Sequence, residues 1–359
     1  MEKVVIENNF WKNKKVFITG NTGFKGSWLS IILSDLGAEV RGYALKPKED
    51  FDIFNEAKLF DKYQTDFKDI TNFSEINKVI DNFKPEVVFH LAAQPLVRYS
   101  YDNPIETYST NVIGTLNLLE AIRKVKTVKA SIIVTTDKCY EIQEGILAYK
   151  ESDILGGHDP YSSSKACAEI LTQSYKRSFN NDLSSIPTLI STVRAGNVIG
   201  GGDWSNDRLV PDIVRSLLTN KDVFLRNPHM VRPWQHVLDP LYGYMKLAEQ
   251  MYLHGRDYES SWNFGPNLSS CINVKKIANK FLSHISTNSI IKSEYDSSEF
   301  KHEANYLRLD ISKAKEILNW EPKWNIDVTI KRTANWYDKF SQGVSAYDLC
   351  LEDIKNFVN

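Results

Sequence analysis

The chain has 359 residues, 42% hydrophobic and 25% charged, and at roughly 150 residues per domain it can build about two domains, each with its own core. Lys and Arg number 44 against 45 Asp and Glu, so no overall basic field exists to hold a polyanion, and nucleic acid is not an expected partner. Cys139, Cys167, Cys271 and Cys350 lie too far apart for a zinc site or a small disulfide framework, which predicts free thiols, a reducing cytoplasmic setting and no metal. The first ten residues, Met1 to Phe10, carry acids and no sustained apolar run, and no uncharged apolar stretch approaches 18 residues. No secretory signal and no membrane-spanning helix are expected.

Short β-type runs at Lys15–Thr19, Glu39–Leu45, Glu86–Leu91, Ala130–Thr135 and Thr188–Val193 alternate with segments of helical period. After the first strand, Trp28, Ile31, Ile32 and Leu36 make an apolar stripe; before the fourth, Val112, Leu116, Leu119 and Ile122 do the same. The alternation predicts an α/β fold, a doubly wound parallel sheet of the Rossmann kind, over residues 1–195. Beyond it, residues 196–359 form mainly a smaller C-terminal substrate domain, with returns to the first domain near 233–264. There the pattern gives a flexible loop at Gly200-Gly201-Gly202, a helix at Leu209–Leu218, a strand at Val223–Leu225, a helix at Pro240–Tyr252 and a strand at Ser261–Phe264. Two packing helices follow, at Ile311–Leu318 and Val328–Phe340.

Gly20-Asn-Thr22-Gly23-Phe24-Lys-Gly26 sits between the first strand and the first helix, where glycines carry a mechanism. Gly20 permits the tight turn, Gly23 lets backbone N–H groups approach a pyrophosphate, and Gly26 brings the helix close to the sheet, its N-terminus facing the anion. The second strand ends Gly42-Tyr-Ala-Leu-Lys46 without the acid that usually accepts ribose hydroxyls, and Lys46 suits a 2′-phosphate. Against that, Asp66-Phe67-Lys-Asp69, after a third strand, resembles the Asp-Ile-x-Asp signature whose first acid reaches the adenine amine. NAD is the expected cofactor, with NADP open.

Tyr161-Ser-Ser-Ser-Lys165 opens a helical run, and the four-residue spacing puts phenol and ammonium on one face. An ammonium there favours the phenolate and lowers its pKa, so the tyrosine can remove an alcohol proton during hydride transfer. Thr136-Asp137-Lys138 closes the fourth clear strand at the carboxyl edge, the ligand crevice of doubly wound sheets.

The order of Gly loop, Asn111, Thr136 and Tyr161/Lys165, with His90-Leu91-Ala92-Ala93-Gln94 between, resembles the extended short-chain dehydrogenases/reductases over nearly the whole chain. Within these it is most similar to the nucleotide-sugar 4,6-dehydratases, whose strand-end Thr continues as Thr-Asp-Glu or Thr-Asp-Lys. Three long strings point to the CDP-glucose branch: Phe10 to Gly26, Arg194-Ala-Gly-Asn197 to Trp204, and Arg232-Pro-Trp-Gln-His236-Val-Leu-Asp239.

The resemblance implies a lyase of deoxysugar biosynthesis, of the kind that serves O-antigen. Tyr161 takes the 4-hydroxyl proton, Asp137 protonates the departing 6-hydroxyl, and NAD is not consumed. Lys138 stands where many relatives carry glutamate: either its pKa falls far enough for it to take the C5 proton, or it orients Asp137, or it is a structural salt bridge. Gln94, Arg98, Asn197, Arg208, Arg232 and His236 are the expected nucleotide-sugar residues, with arginines suited to a diphosphate. The helices Pro104–Ile122 and Tyr161–Phe179 would face a partner in a homodimer or dimer of dimers. The alternatives are an epimerase or reductase of the same fold, and a noncatalytic dinucleotide-binding protein.

Overall fold

The structure is a computed structural model and describes residues 9–47, 51–179, 188–225, 227–285, 291–293 and 308–359. The segment Met1–Asn8, part of the stretch read above for a signal, lies outside the described residues. Among the described residues twelve strands are formed: β1 Lys15–Thr19, β2 Glu39–Ala44, β3 Gln64–Phe67, β4 Val87–His90, β5 Ala130–Val134, β6 Leu189–Ala195, β7 Asn197–Ile199, β8 Val223–Leu225, β9 Val231–His236, β10 Ser261–Phe264, β11 Cys271–Asn273 and β12 Ile291–Ser293. Seven make one sheet in the order β10-β6-β5-β4-β1-β2-β3, every neighbour parallel.

Every residue of β4, β5 and β6 is buried, as expected where helices cover both faces of a parallel sheet. One face packs a core around Phe17, Ile76, Val88, Leu118 and Ile190; the other joins a larger core that runs from Trp28 to Trp262, Trp336 and Phe357. The helix Phe24–Asp35 is buried at every residue from Gly26 to Leu33, wider than the expected stripe, because the last helix, Ala346–Val358, packs against it. That last helix, Phe73–Phe83 and Val274–Leu282 are not singled out by the sequence reading. The run Pro104–Ile122 is not one regular helix. A π-helical turn at Ser109–Ile113 separates Pro104–Tyr108 from Gly114–Lys124.

Past β6 the chain builds a three-stranded sheet, β11-β9-β7, and a pair, β12-β8, while β10 forms the edge of the main sheet. The Gly200–Gly202 stretch is not the flexible loop expected. All three are buried, Gly201 accepts the Trp28 indole N–H at 3.0 Å, and a side chain at Gly201 would overlap the Trp336 ring. Gly201→Ala should therefore overpack this contact and cost about 1–3 kcal/mol, seen as a lower denaturation midpoint at an unchanged m-value.

Candidate active site

The Gly loop and the crevice belong together. β4 and β1 are the point where strand order reverses, so the turns leaving their carboxyl ends part and open a cleft. Gly20 adopts φ +71°, and a Cβ on it would lie 2.6 Å from the Ala92 N, so only glycine lets the turn after β1 meet the turn after β4. Gly26 lies against the Gly20 carbonyl, which seats the Phe24–Asp35 helix on its own loop. No side chain caps that helix, and its first N–H groups face the cleft mouth beside the exposed Gly23. Asn21 closes the loop from below, donating to Thr65 Oγ1 at 2.9 Å, and the Thr22 hydroxyl donates to the Leu45 carbonyl at 3.1 Å. This cradle fits a dinucleotide pyrophosphate.

Asp66 lies within β3 and not after it. It forms an ion pair with Arg41 at 2.8 Å, and Phe67 beside it is 40% exposed, with the Lys46 ammonium 5.9 Å from its ring centre. At the end of β4, His90 is buried and hydrogen-bonded to Thr19 Oγ1 at 2.7 Å and Thr115 Oγ1 at 3.0 Å; burial pushes its pKa down to about 3. The backbone N–H of Leu91 donates to the Thr19 carbonyl and that of Ala92 to the Thr19 hydroxyl, so this turn is fastened to β1 before it runs on through Ala93.

Asn111 sits in the π-helical turn. Its amide accepts from the Gln94 N–H at 2.9 Å and donates to the Gln94 carbonyl at 3.1 Å and to Ser164 Oγ at 2.9 Å. It thus ties the β4 turn to the Tyr161 helix. The Gln94 side chain, expected to meet substrate, is spent on its own loop: it donates to Thr107 Oγ1 at 2.8 Å and accepts from the Leu96 N–H at 2.6 Å.

Thr136, Asp137, Tyr161 and Lys165 converge just beyond β5, all buried. The Thr136 hydroxyl donates to Asp137 Oδ1 at 3.1 Å, accepts from the Lys138 N–H at 3.3 Å and lies beside the Tyr161 phenol. Burial raises the Asp137 pKa, against the pull of Lys138, Thr136, Arg232 and Lys25, so this acid holds its proton more tightly than an exposed one. Gly196 leaves room for it: a Cβ there would stand 2.7 Å from Asp137 Oδ2.

The expected Lys165 effect on the phenol is not what the geometry gives. Lys165 Nζ donates to the Val134 carbonyl at 3.0 Å, and burial pushes its own pKa down to about 8. The phenol is pushed up to about 12 by burial, and the groups that favour its phenolate are Thr136 and Arg208.

From the second half of the chain, Arg208 reaches the phenol while paired with Asp203 at 2.9 Å, Arg232 faces Asp137, and Asn197 opens β7 half-buried. Arg98 is exposed at the rim, 3.8 Å from Asp207. His236 does not join them. It is fully buried, its ring 6.0 Å from Trp28 and 4.7 Å from Trp324, and its Nδ1 accepts from the Leu238 N–H, so it belongs to the core. Lys25, which the sequence reading passed over, faces Asp137, Arg208 and Lys165, and burial lowers its pKa to about 8. Its signal was a lysine between two loop glycines at the head of an otherwise apolar helix.

Residues 17–333 match the family model described as GDP-mannose 4,6 dehydratase. The chain belongs to this family. Among relatives of this GDP-mannose 4,6 dehydratase family member, a CDP-glucose 4,6-dehydratase of Salmonella typhimurium is 43% identical over 357 residues, 99% of each chain. A UDP-glucose 4-epimerase of Thermotoga maritima, solved with UDP-glucose, superposes with a TM-score of 0.78 at 22% identity, over 91% of this chain and 99% of that one. A dTDP-glucose 4,6-dehydratase of Bacillus anthracis, solved with NAD, gives 0.74 at 24% identity, over 92% and 98%. Both share the fold.

The two buried imidazoles of this family member, His90 and His236, stay neutral until about pH 3 when folded, while an unfolded histidine titrates near 6.5. Their contribution to stability is present above pH ~6.5 and is lost as pH falls toward ~3. Acid titration followed by imidazole NMR should show both rings neutral throughout the folded range, and the denaturation midpoint should drop over that window.

Proposed function

We propose that the protein is an NAD-dependent CDP-glucose 4,6-dehydratase, a lyase that converts CDP-D-glucose to CDP-4-dehydro-6-deoxy-D-glucose with net loss of water. The identity to the Salmonella typhimurium enzyme along almost the whole of both chains carries this reading. Residues 1–195, with the return near 233–264, hold the cofactor, and residues 196–359 mainly hold the nucleotide sugar. Gly20, Thr22, Gly23, Phe24 and Gly26 cradle the pyrophosphate, Asp66 and Phe67 border the adenine end, and Leu91, Ala92, Ala93 and Asn111 wall the nicotinamide end. NAD held by these residues would supply the acceptor for the C4 hydride and its return to C6.

The residues supply the proton chemistry. Tyr161, beside Thr136, takes the 4-hydroxyl proton, and the Arg208 charge favours the phenolate that must form. The resulting ketone acidifies the C5 proton. A base in the cleft takes that proton as the 6-hydroxyl leaves, and Asp137 delivers the proton that lets oxygen depart as water, a role suited by the burial that raises its pKa. Lys138 lies beside the acid and steadies its charge after transfer. Lys165 holds the Val134 carbonyl and the nicotinamide side, while Arg208 and Arg232, with Asn197, face the diphosphate and sugar.

Incubation with CDP-, dTDP-, GDP- and UDP-glucose, reading 4-keto product, tests the assignment; product from another nucleotide sugar and none from CDP-glucose would overturn it. Tyr161→Phe should lose about 10²–10⁴ in turnover with substrate binding kept. Asp137→Asn should lose dehydration of the natural substrate, and a substrate with fluorine at C6, needing less acid help, should recover much of the rate in Asp137→Asn and none in Tyr161→Phe.

The four cysteines are free thiols and no helix among the described residues is long and apolar enough to cross a membrane, which support a cytoplasmic enzyme of deoxysugar supply for O-antigen-type polymers. Along the helices Pro104–Lys124 and Pro160–Phe179, Ile105, Ile113 and Ile170 are 82%, 46% and 57% exposed, a face suited to a second copy. The protein is then a homodimer or dimer of dimers. Ile105→Glu with Ile113→Glu should reduce it to monomers in sedimentation experiments.

A further inference from the structure

Directly beneath the strand ends that carry Thr136 and Asp137 lies an ion pair with no exposed atoms. Arg194 Nη2 donates to Glu169 Oε2 at 2.8 Å and Nε to Oε1 at 3.0 Å, both side chains 0% exposed. The same carboxylate accepts from Thr135 Oγ1 at 2.5 Å, Thr192 Oγ1 at 2.7 Å and Ser261 Oγ at 3.4 Å. Arg194 Nη1 donates to the Tyr140 hydroxyl at 2.7 Å, which donates on to Asn263 Oδ1 at 2.7 Å.

Burying two charges this deeply is expensive, and an apolar pair of like volume would often serve stability as well. What an apolar pair cannot do is fix three elements at once. Glu169 lies one turn past Lys165 on the helix that also carries Tyr161, and Thr135 is the residue before Thr136. β6 supplies Thr192 and Arg194, and β10 supplies Ser261.

We propose that Glu169, clamped by Arg194, is a positioning residue that sets the register between the helix bearing Tyr161 and Lys165 and the strand end bearing Thr136 and Asp137. The catalytic groups come from two separate elements, and the Thr135–Glu169–Arg194 link is their shared anchor behind the reacting face. The inference rests on the reading of Tyr161 and Asp137 as the proton-transfer pair.

Thr135→Val keeps the ion pair and removes its tie to the strand end, together with the 3.3 Å hydroxyl bond to the Val193 carbonyl. In the NAD-loaded enzyme with CDP-glucose, it should retain the melting temperature and KM while kcat falls about tenfold, and Thr135→Ser should restore most of the loss.

A wild-type kcat in Thr135→Val, or equal losses in the Val and Ser variants, would overturn the proposal. A reading without substrate separates it from the functional assignment: crystals of Thr135→Val should show the Thr136–Asp137 turn displaced against Tyr161 in an otherwise unchanged fold. If CDP-glucose proves not to be the substrate, the functional assignment fails, and an unmoved turn in those crystals would still overturn the clamp by itself.

Discussion

The cleft depends on one close approach of backbone to backbone. The turn leaving β1 and the turn leaving β4 meet where Gly20 faces Ala92, with no space for a side chain between them. β1 and β4 stay paired to their last residues, Thr19 beside His90, and the cleft opens above this shared base, where the chain leaves for the Gly-loop helix and for the turn that Asn111 ties to Gln94. Thr19 makes this junction firm, its carbonyl and hydroxyl both taken by the β4 turn. Residues far apart in sequence are thereby referred to one fixed point.

Charge is distributed unevenly around that opening. Asp137 is a buried acid facing Lys25, Lys138 and Arg232, with Lys165 and Arg208 close by and Asp203 already committed to Arg208. A cleft with surplus positive charge attracts phosphates without help from the net charge of the chain, which is −1. Overall neutrality and local cationic focus are compatible because the acids are spent elsewhere: Asp66 on Arg41 and Glu169 on Arg194.

Much of this was legible in the sequence, and the exceptions have physical causes. Strands covered on both faces read as unbroken apolar runs, so β1, β4, β5 and β6 were plain, whereas the polar edge strand β3 placed Asp66 outside the strand it occupies. The Tyr161–Lys165 spacing located the helix but not the partner of the ammonium, since a backbone carbonyl leaves no trace in residue identity. Arg232 and His236 lie on one side of β9, yet the strand descends from rim to interior, so the arginine reaches the cleft and the imidazole is lost among tryptophans. Gly200–Gly202 looked like a flexible loop because the tryptophan that fills the space over Gly201 lies more than a hundred residues away. Local pattern cannot report a long-range partner.

The rings around His236 also link the two ends of the chain. Trp28 of the Gly-loop helix meets His236 at 6.0 Å, His236 meets Trp324 at 4.7 Å, and Trp324 meets Phe357 of the last helix at 5.1 Å. The outer wall of the first helix is therefore made from residues roughly three hundred positions further along the chain. During synthesis the Gly-loop helix waits for those residues before its apolar back is covered, a vectorial delay that leaves Trp28 and its neighbours exposed to chaperones or to aggregation.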